Sequence, residues 1–286
     1  MDGVNEPDEM ARFQTFWIQM RKTNIWTEVA KLAKPQGRKW HFTLLIIYFC
    51  NCIYNFILCF YVQGTKCDVR DGNDVKNLVK YAQDNLQYVD IWINNAGSNA
   101  YSYKPLAEAS DEDLIEVVTT NTLGLMICCR EAMKMMLNQP RGGHIFNIDG
   151  AGSDGRPTPR FAAYGATKRS VVHLTKSLQA IIAIYNAELR MQEVSNVVVH
   201  NLSPGMVTTD LLMSGANTKQ AKFFINVLAE PADEVAKYLV PNIRSIPTSG
   251  STRPTYIRFL TGLKAYSQIF SRLAFGARRN RYLVEE

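Results

Sequence analysis

The sequence predicts an α/β fold, one mainly parallel sheet covered by helices, and three observations carry that expectation. Short apolar, β-branched runs alternate with longer stretches of helical periodicity from about residue 62 onward. Turn-forming residues close each apolar run. The 286 residues, 47% hydrophobic, suffice for one substantial core, and no internal repeat or low-complexity linker divides them.

Taken in order, Gly64-Thr65-Lys66-Cys67-Asp68-Val69 reads as the end of a strand, and Val89-Asp90-Ile91-Trp92-Ile93 as a short buried one. Asn94-Asn95-Ala96-Gly97 follows the second run, a turn whose small residues let a ligand approach backbone closely. Ser110 and Asp113 have the spacing of a helix N-cap and open a long amphipathic helix with Asn121 in its middle. A mid-helix asparagine costs helix propensity, so Asn121 either packs locally or serves a site. Gly143-His144-Ile145-Phe146-Asn147-Ile148 is the next strand. Asn196 to Leu202 is another, ending at Ser203-Pro204-Gly205.

Between those last two strands lies Tyr164-Gly165-Ala166-Thr167-Lys168. A tyrosine and a lysine four apart share one helix face and can meet at one substrate atom. A free phenol titrates near ~10, so a catalytic tyrosine needs a neighbouring positive charge to stabilise its phenolate. Lys168 can supply that charge. Alone the pair says little in a chain with 13 tyrosines, and its weight comes from the ordered elements around it.

The net charge of +6 is spread thinly except at Arg278-Arg279-Asn280-Arg281, which points to an anionic surface rather than nucleic acid. Six cysteines form no CxxC pair and no metal-ligand spacing with the four histidines. No metal is expected. The thiols read as reduced, small buried hydrophobes, Cys128 and Cys129 among them.

The order strand-NNAG, mid-helix Asn, strand, YxxxK, strand-PG resembles the short-chain dehydrogenase/reductase family. Within it, the run from about Gly64 to the C-terminus is similar to the chlorophyll(ide) b reductases of plant plastids, nearest to their NOL type, over Asp90 to Tyr103, Thr119 to Arg130, Pro140 to Lys176, Val197 to Ala216 and Tyr256 to Tyr282. The resemblance implies a doubly wound, Rossmann-like parallel sheet and NADPH or NADH as cofactor. It also implies that Tyr164 protonates a carbonyl oxygen while Lys168 lowers its pKa and binds the nicotinamide ribose, with Asn121 holding a water. The family's carbonyl-positioning serine would fall near Gly150 or Ala151, which leaves Ser153 as the nearest candidate and Asp149 close by. Cofactor contacts would come from Asp68, Val69, Asn95, Ala96, Gly97, Tyr164, Lys168, Pro204, Gly205, Val207 and Thr209.

The implied substrate is chlorophyll b or chlorophyllide b, its formyl group reduced to hydroxymethyl, and Leu211 to Leu228 would form an apolar lid. The implied setting is a chloroplast, in contact with the thylakoid membrane, as a homo- or hetero-oligomer with a related reductase. Tyr256 to Phe275, amphipathic and followed by arginines, would lie on a membrane surface, on a partner or in the core.

The sequence departs from the family pattern at its front. A glycine-rich turn normally lets backbone N–H groups reach the cofactor phosphates, yet before Gly64 the only glycines are Gly3 and Gly37. Residues 1–61 are therefore expected to be an atypical segment ahead of a domain at 62–286, with an incomplete first βαβ unit. Phe42 to Val62 is apolar, of span length and preceded by Arg38-Lys39-Trp40-His41, so it is either a membrane span or an extra element covering the shortened sheet. The acidic first residues, Met1 to Glu9, argue against a transit peptide at that end. Ile181 to Asn186 reads as an insertion that either lengthens the Tyr164 helix or bulges as a loop. Two functional classes follow: a reductase, and a cofactor-deficient relative acting as a non-catalytic subunit.

Overall fold

A computed structural model describes residues 16–19, 45–49, 60–86, 88–100, 103–189 and 197–285. Seven strands form one sheet in the order β3-β2-β1-β4-β5-β6-β7. These are β1 Phe16–Gln19, β2 Leu45–Phe49, β3 Phe60–Gln63, β4 Ile91–Asn94, β5 Gly143–Ile148, β6 Val197–Ser203 and β7 Tyr256–Arg258. The helices are α1 Gly72–Asn85, α2 Asp111–Val118, α3 Leu125–Leu137, α4 Ala162–Leu189, α5 Asp210–Met213, α6 Lys219–Leu228, α7 Ala232–Thr248 and α8 Gly262–Phe275.

The section β4 to β7 is parallel throughout, the arrangement that alternating strands and helices dictate. Side chains of a strand alternate between faces, and β4 divides its residues accordingly. Trp92 packs with Ile145, Val197 and Val199 under α1, α3 and α4. Ile91 and Ile93 pack with Phe146 and Leu202 under α7. Both faces are covered, so the sheet is doubly wound as expected.

On the other side of β4 the pairing departs from a purely parallel sheet. β1 runs antiparallel to β4, β2 parallel to β1, and β3 antiparallel to β2. Short strands from residues 16–19 and 45–49 thus stand where the missing first strands were expected. The apolar stretch Phe42–Val62 is not one spanning helix, because Ile46 faces Gln63 and Phe49 faces Phe60 in an antiparallel pair. Nor do these residues cover a face of the sheet: β2 and β3 extend it edgewise beyond β1. Among the described residues no helix is long and apolar enough to cross a membrane.

Local signals explain the helix boundaries. Asp71 caps α1, its carboxylate accepting from Asn73 N at 2.8 Å, and Val75, Leu78 and Ala82 form the buried stripe. Ser110 caps α2 by accepting from Asp113 N at 3.2 Å. A π-helical turn, Thr119–Gly124, joins α2 to α3 and holds Asn121. The insertion at 181–186 lengthens α4, which runs unbroken to Leu189. Cys67, Cys128 and Cys129 are free thiols in the core.

Candidate active site

The site is assembled at the carboxyl ends of β4, β5 and β6, with one wall from α4. A buried amide ladder locks these elements together: Asn94 Nδ2 donates to Asn147 Oδ1 (2.8 Å), and Asn147 Nδ2 to Thr175 Oγ1 (2.9 Å). Each amide is satisfied, so β4, β5 and α4 are held in one register.

Tyr164 and Lys168 lie on one face of α4, as their spacing requires, with Lys168 Nζ 5.7 Å from the centre of the Tyr164 ring. Lys168 is buried and donates to Ile148 O at 3.2 Å. Burial lowers its pKa from 10.5 to about 8, and Asp149 partly opposes this. The expected lowering of the Tyr164 pKa by Lys168 is not the dominant influence. Burial first and Asp149 second raise the phenol well above its ordinary range, so Tyr164 carries its proton at neutral pH.

Asn121 is placed in the site by the π turn, but as a clamp. Its Oδ1 accepts from Ser98 N (2.8 Å), and its Nδ2 donates to Ser98 O (2.8 Å) and Thr167 Oγ1 (3.0 Å). It therefore fixes the Asn95-Ala96-Gly97-Ser98 turn against α4. A Cβ on Gly97 would lie 3.3 Å from Lys168 Nζ and 3.5 Å from Asn121 Oδ1. The two polar groups thus converge on a bare patch of backbone, a surface suited to a polar ring such as the ribose next to a nicotinamide.

The loop after β5 fits against Tyr164 only because it lacks side chains. A Cβ on Gly150 would meet the Tyr164 hydroxyl at 2.5 Å, and one on Gly152 would meet Gly165 Cα at 2.7 Å. No serine is accommodated at Gly150 with Tyr164 in place. Ser153, the candidate replacement, donates instead to Asp149 Oδ2 at 3.1 Å. Sequence reasoning noted Asp149 but missed Tyr256, whose hydroxyl also donates to Asp149 Oδ2. No local signal announces that contact, because the two residues are 107 positions apart.

The remaining predicted contacts divide. Gly205 has φ 73°, and a Cβ there would press on Leu260 at 2.6 Å, so the Pro204-Gly205 turn requires glycine. Val207 bridges Glu230 in parallel, and Thr209 caps α5, accepting from Leu212 N at 3.4 Å. Val69 is a core side chain against the bare Gly124, while the Asp68 carboxylate takes the Arg70 guanidinium at 2.6 to 3.1 Å. Arg278 and Arg281 both bind Glu230, at 2.8 and 2.7 Å. These two arginines therefore tie the tail to the connection between α6 and α7 rather than facing an anionic surface. Among the described residues no cluster of metal-binding side chains is present.

This fold and a Tyr/Lys pair on the helix after the fifth strand define an oxidoreductase class, and the short chain dehydrogenase family description matches residues 60–220. The chain belongs to that family. It is 80% identical, over 226 residues, to chlorophyll(ide) b reductase NOL, chloroplastic, of Arabidopsis thaliana, a match covering 79% of this chain and 63% of that protein. The protein of the same name from Oryza sativa subsp. japonica is 78% identical over 226 residues, 79% of this chain and 64% of its own length. The chain thus spans under two thirds of these relatives. Among solved structures, a single-substitution variant of actinorhodin polyketide ketoreductase with NADPH superposes with a TM-score of 0.56 at 26% identity, covering 71% of this chain and 77% of that one.

Proposed function

We propose that this chain carries the reducing site of a chlorophyll(ide) b reductase, converting the formyl group of chlorophyll b or chlorophyllide b to hydroxymethyl with NADPH or NADH. The single observation that carries the reading is the convergence of Tyr164, Lys168 and Asn121 on the bare glycines Gly97 and Gly150. A nicotinamide, when bound, supplies the hydride. The residues of this chain that would hold it are Asn95, Ala96, Gly97, Tyr164, Lys168, Pro204, Gly205, Val207 and Thr209, with Asp68 and Val69 toward the adenine.

The chain's own part is proton chemistry. Tyr164 gives its proton to the formyl oxygen as charge develops there, and the Lys168 ammonium stabilises the phenolate left behind. Asn121 keeps the Gly97 turn in place through Ser98. A shallow cleft beside Tyr164, bordered by Ala100, Leu114, Val117 and Phe161, offers apolar contact to a flat macrocycle. Ser153, bound to Asp149, shapes the loop facing that cleft.

The printed names of the relatives support a chloroplast setting. Contact with the thylakoid surface is supported by the exposed face of α8, where Leu263, Tyr266, Phe270 and Leu273 follow helical spacing. Association with a related reductase belongs to the same proposal. A second reading, a cofactor-deficient subunit, is favoured by the absence of a glycine-rich turn before Gly64. Incubation of the chain with chlorophyllide b and either nucleotide separates the two. Conversion to the hydroxymethyl product supports the reductase, and unchanged pigment with no bound nucleotide supports the subunit.

A further inference from the structure

The carboxyl group next to the Tyr164/Lys168 pair has no assigned part in the reaction, yet the fold builds a housing for it. Asp149 follows Ile148 at the end of β5, is 3% exposed, and has its backbone N–H tied to Leu202 O at 2.9 Å. The hydroxyls of Ser153 on the loop and Tyr256 on β7 both donate to the same oxygen, Oδ2. Oδ1 is buried with no hydrogen-bond partner among the described residues. An acid whose only task was to hold β7 against the loop would gain by using both oxygens, because a buried acceptor left unpaired costs stability. No arginine or lysine forms an ion pair with it within 4.0 Å among the described residues. Its charge is therefore left to act through space, and the neighbouring cation is Lys168, whose Nζ is bound to the carbonyl of the preceding residue, Ile148.

We propose that Asp149 is a positioning residue, the buried counter-charge that keeps Lys168 protonated beside Tyr164, with Tyr256 and Ser153 holding it in place. The proposal rests on the reading of Tyr164 and Lys168 as the proton-transfer pair. Lys168 alone among buried surroundings would shed its proton, and an ionised acid nearby opposes that loss. Burial raises the Asp149 pKa, while the hydroxyls of Tyr256, Ser203 and Ser153 and the charge of Lys168 favour its ionised form. The titratable groups facing it are Lys168 and Tyr164 from α4 and Tyr256 from β7. The last has Arg258 stacked 3.8 Å over its ring.

The decisive experiment titrates Lys168 in the full chain labelled with 13C-lysine, its resonance assigned by its loss in Lys168→Arg. In Asp149→Asn the Lys168 pKa should fall by about one unit or more, with unchanged circular dichroism. An unshifted Lys168 in folded Asp149→Asn overturns the proposal, and should that variant not fold, an unshifted Lys168 in Asp149→Ser does so. In turnover assays the alkaline limb of the rate profile should move down by the same interval, and this shift should vanish in a Lys168→Arg background. A shifted titration without formyl reduction by the parent chain supports Asp149 and counts only against the proposed substrate.

Discussion

Lys168→Met removes a buried ammonium whose pKa the fold lowers from 10.5 to about 8. A lowered lysine pKa means that the folded state disfavours the charged form, so the protein carries a cost wherever that form predominates. The difference corresponds to roughly 3 kcal/mol at neutral pH. Methionine also deletes the 3.2 Å bond from Nζ to Ile148 O, which returns about 1 kcal/mol in the other direction. The variant should therefore be about 2 kcal/mol more stable than the parent at pH 7 while losing the proposed reductase activity. The cost is fully present below the folded pKa, fades between about 8 and 10.5, and is absent above that. Urea unfolding followed by tryptophan fluorescence at pH 7 and pH 10 measures both points. A variant less stable than the parent at pH 7, with the same difference at pH 10, would refute the reasoning.

Three further outcomes are expected. Gly150→Ala places a methyl 2.5 Å from the Tyr164 hydroxyl and should cost about 1 to 3 kcal/mol and on the order of 100-fold in turnover, so near-normal kinetics would show that Tyr164 adjusts freely. His144 and His200, 3.0 Å apart in the core, have pKa values lowered by burial to about 4 and about 3. The unfolded chain takes up their protons first, so stability should fall as pH drops from about 6.5 toward 4; His200→Asn should remove about one proton from that slope, and an unchanged slope would contradict it. NADPH should bind more weakly than micromolar, because the sequence lacks a glycine-rich phosphate turn before Gly64, and a fluorescence titration giving micromolar affinity would require another phosphate site.

The strands β4, β5 and β6 and the helix bearing Tyr164 were legible because each is a continuous apolar run closed by turn residues, and because a spacing of four fixes a helix face. Ser110 was readable as a cap for the same reason, since caps act within one turn. The Asp149 housing was not, because Tyr256 reaches it across 107 positions and only the β6/β7 pairing brings them together. Ser153 was placed in the right loop but its hydroxyl direction depends on that same acid. The net rise of the Tyr164 pKa was not legible, because charge proximity is visible in spacing, whereas desolvation depends on packing from several elements. Residues 16–19 and 45–49 lacked flanking turn signals, and strand direction in a sheet is set by neighbours that no local pattern names.

The central claim is that Tyr164 delivers the proton when a formyl group is reduced at this site. The most direct measurement is product formation from chlorophyllide b in the presence of NADPH or NADH, comparing the chain with Tyr164→Phe, which removes one hydroxyl and keeps the ring contact with Phe161. The hydroxymethyl product should accumulate with the parent chain and be absent with the variant while nucleotide binding is unchanged. Equal product from both, or none from a parent chain that binds the nucleotide, would contradict the assignment.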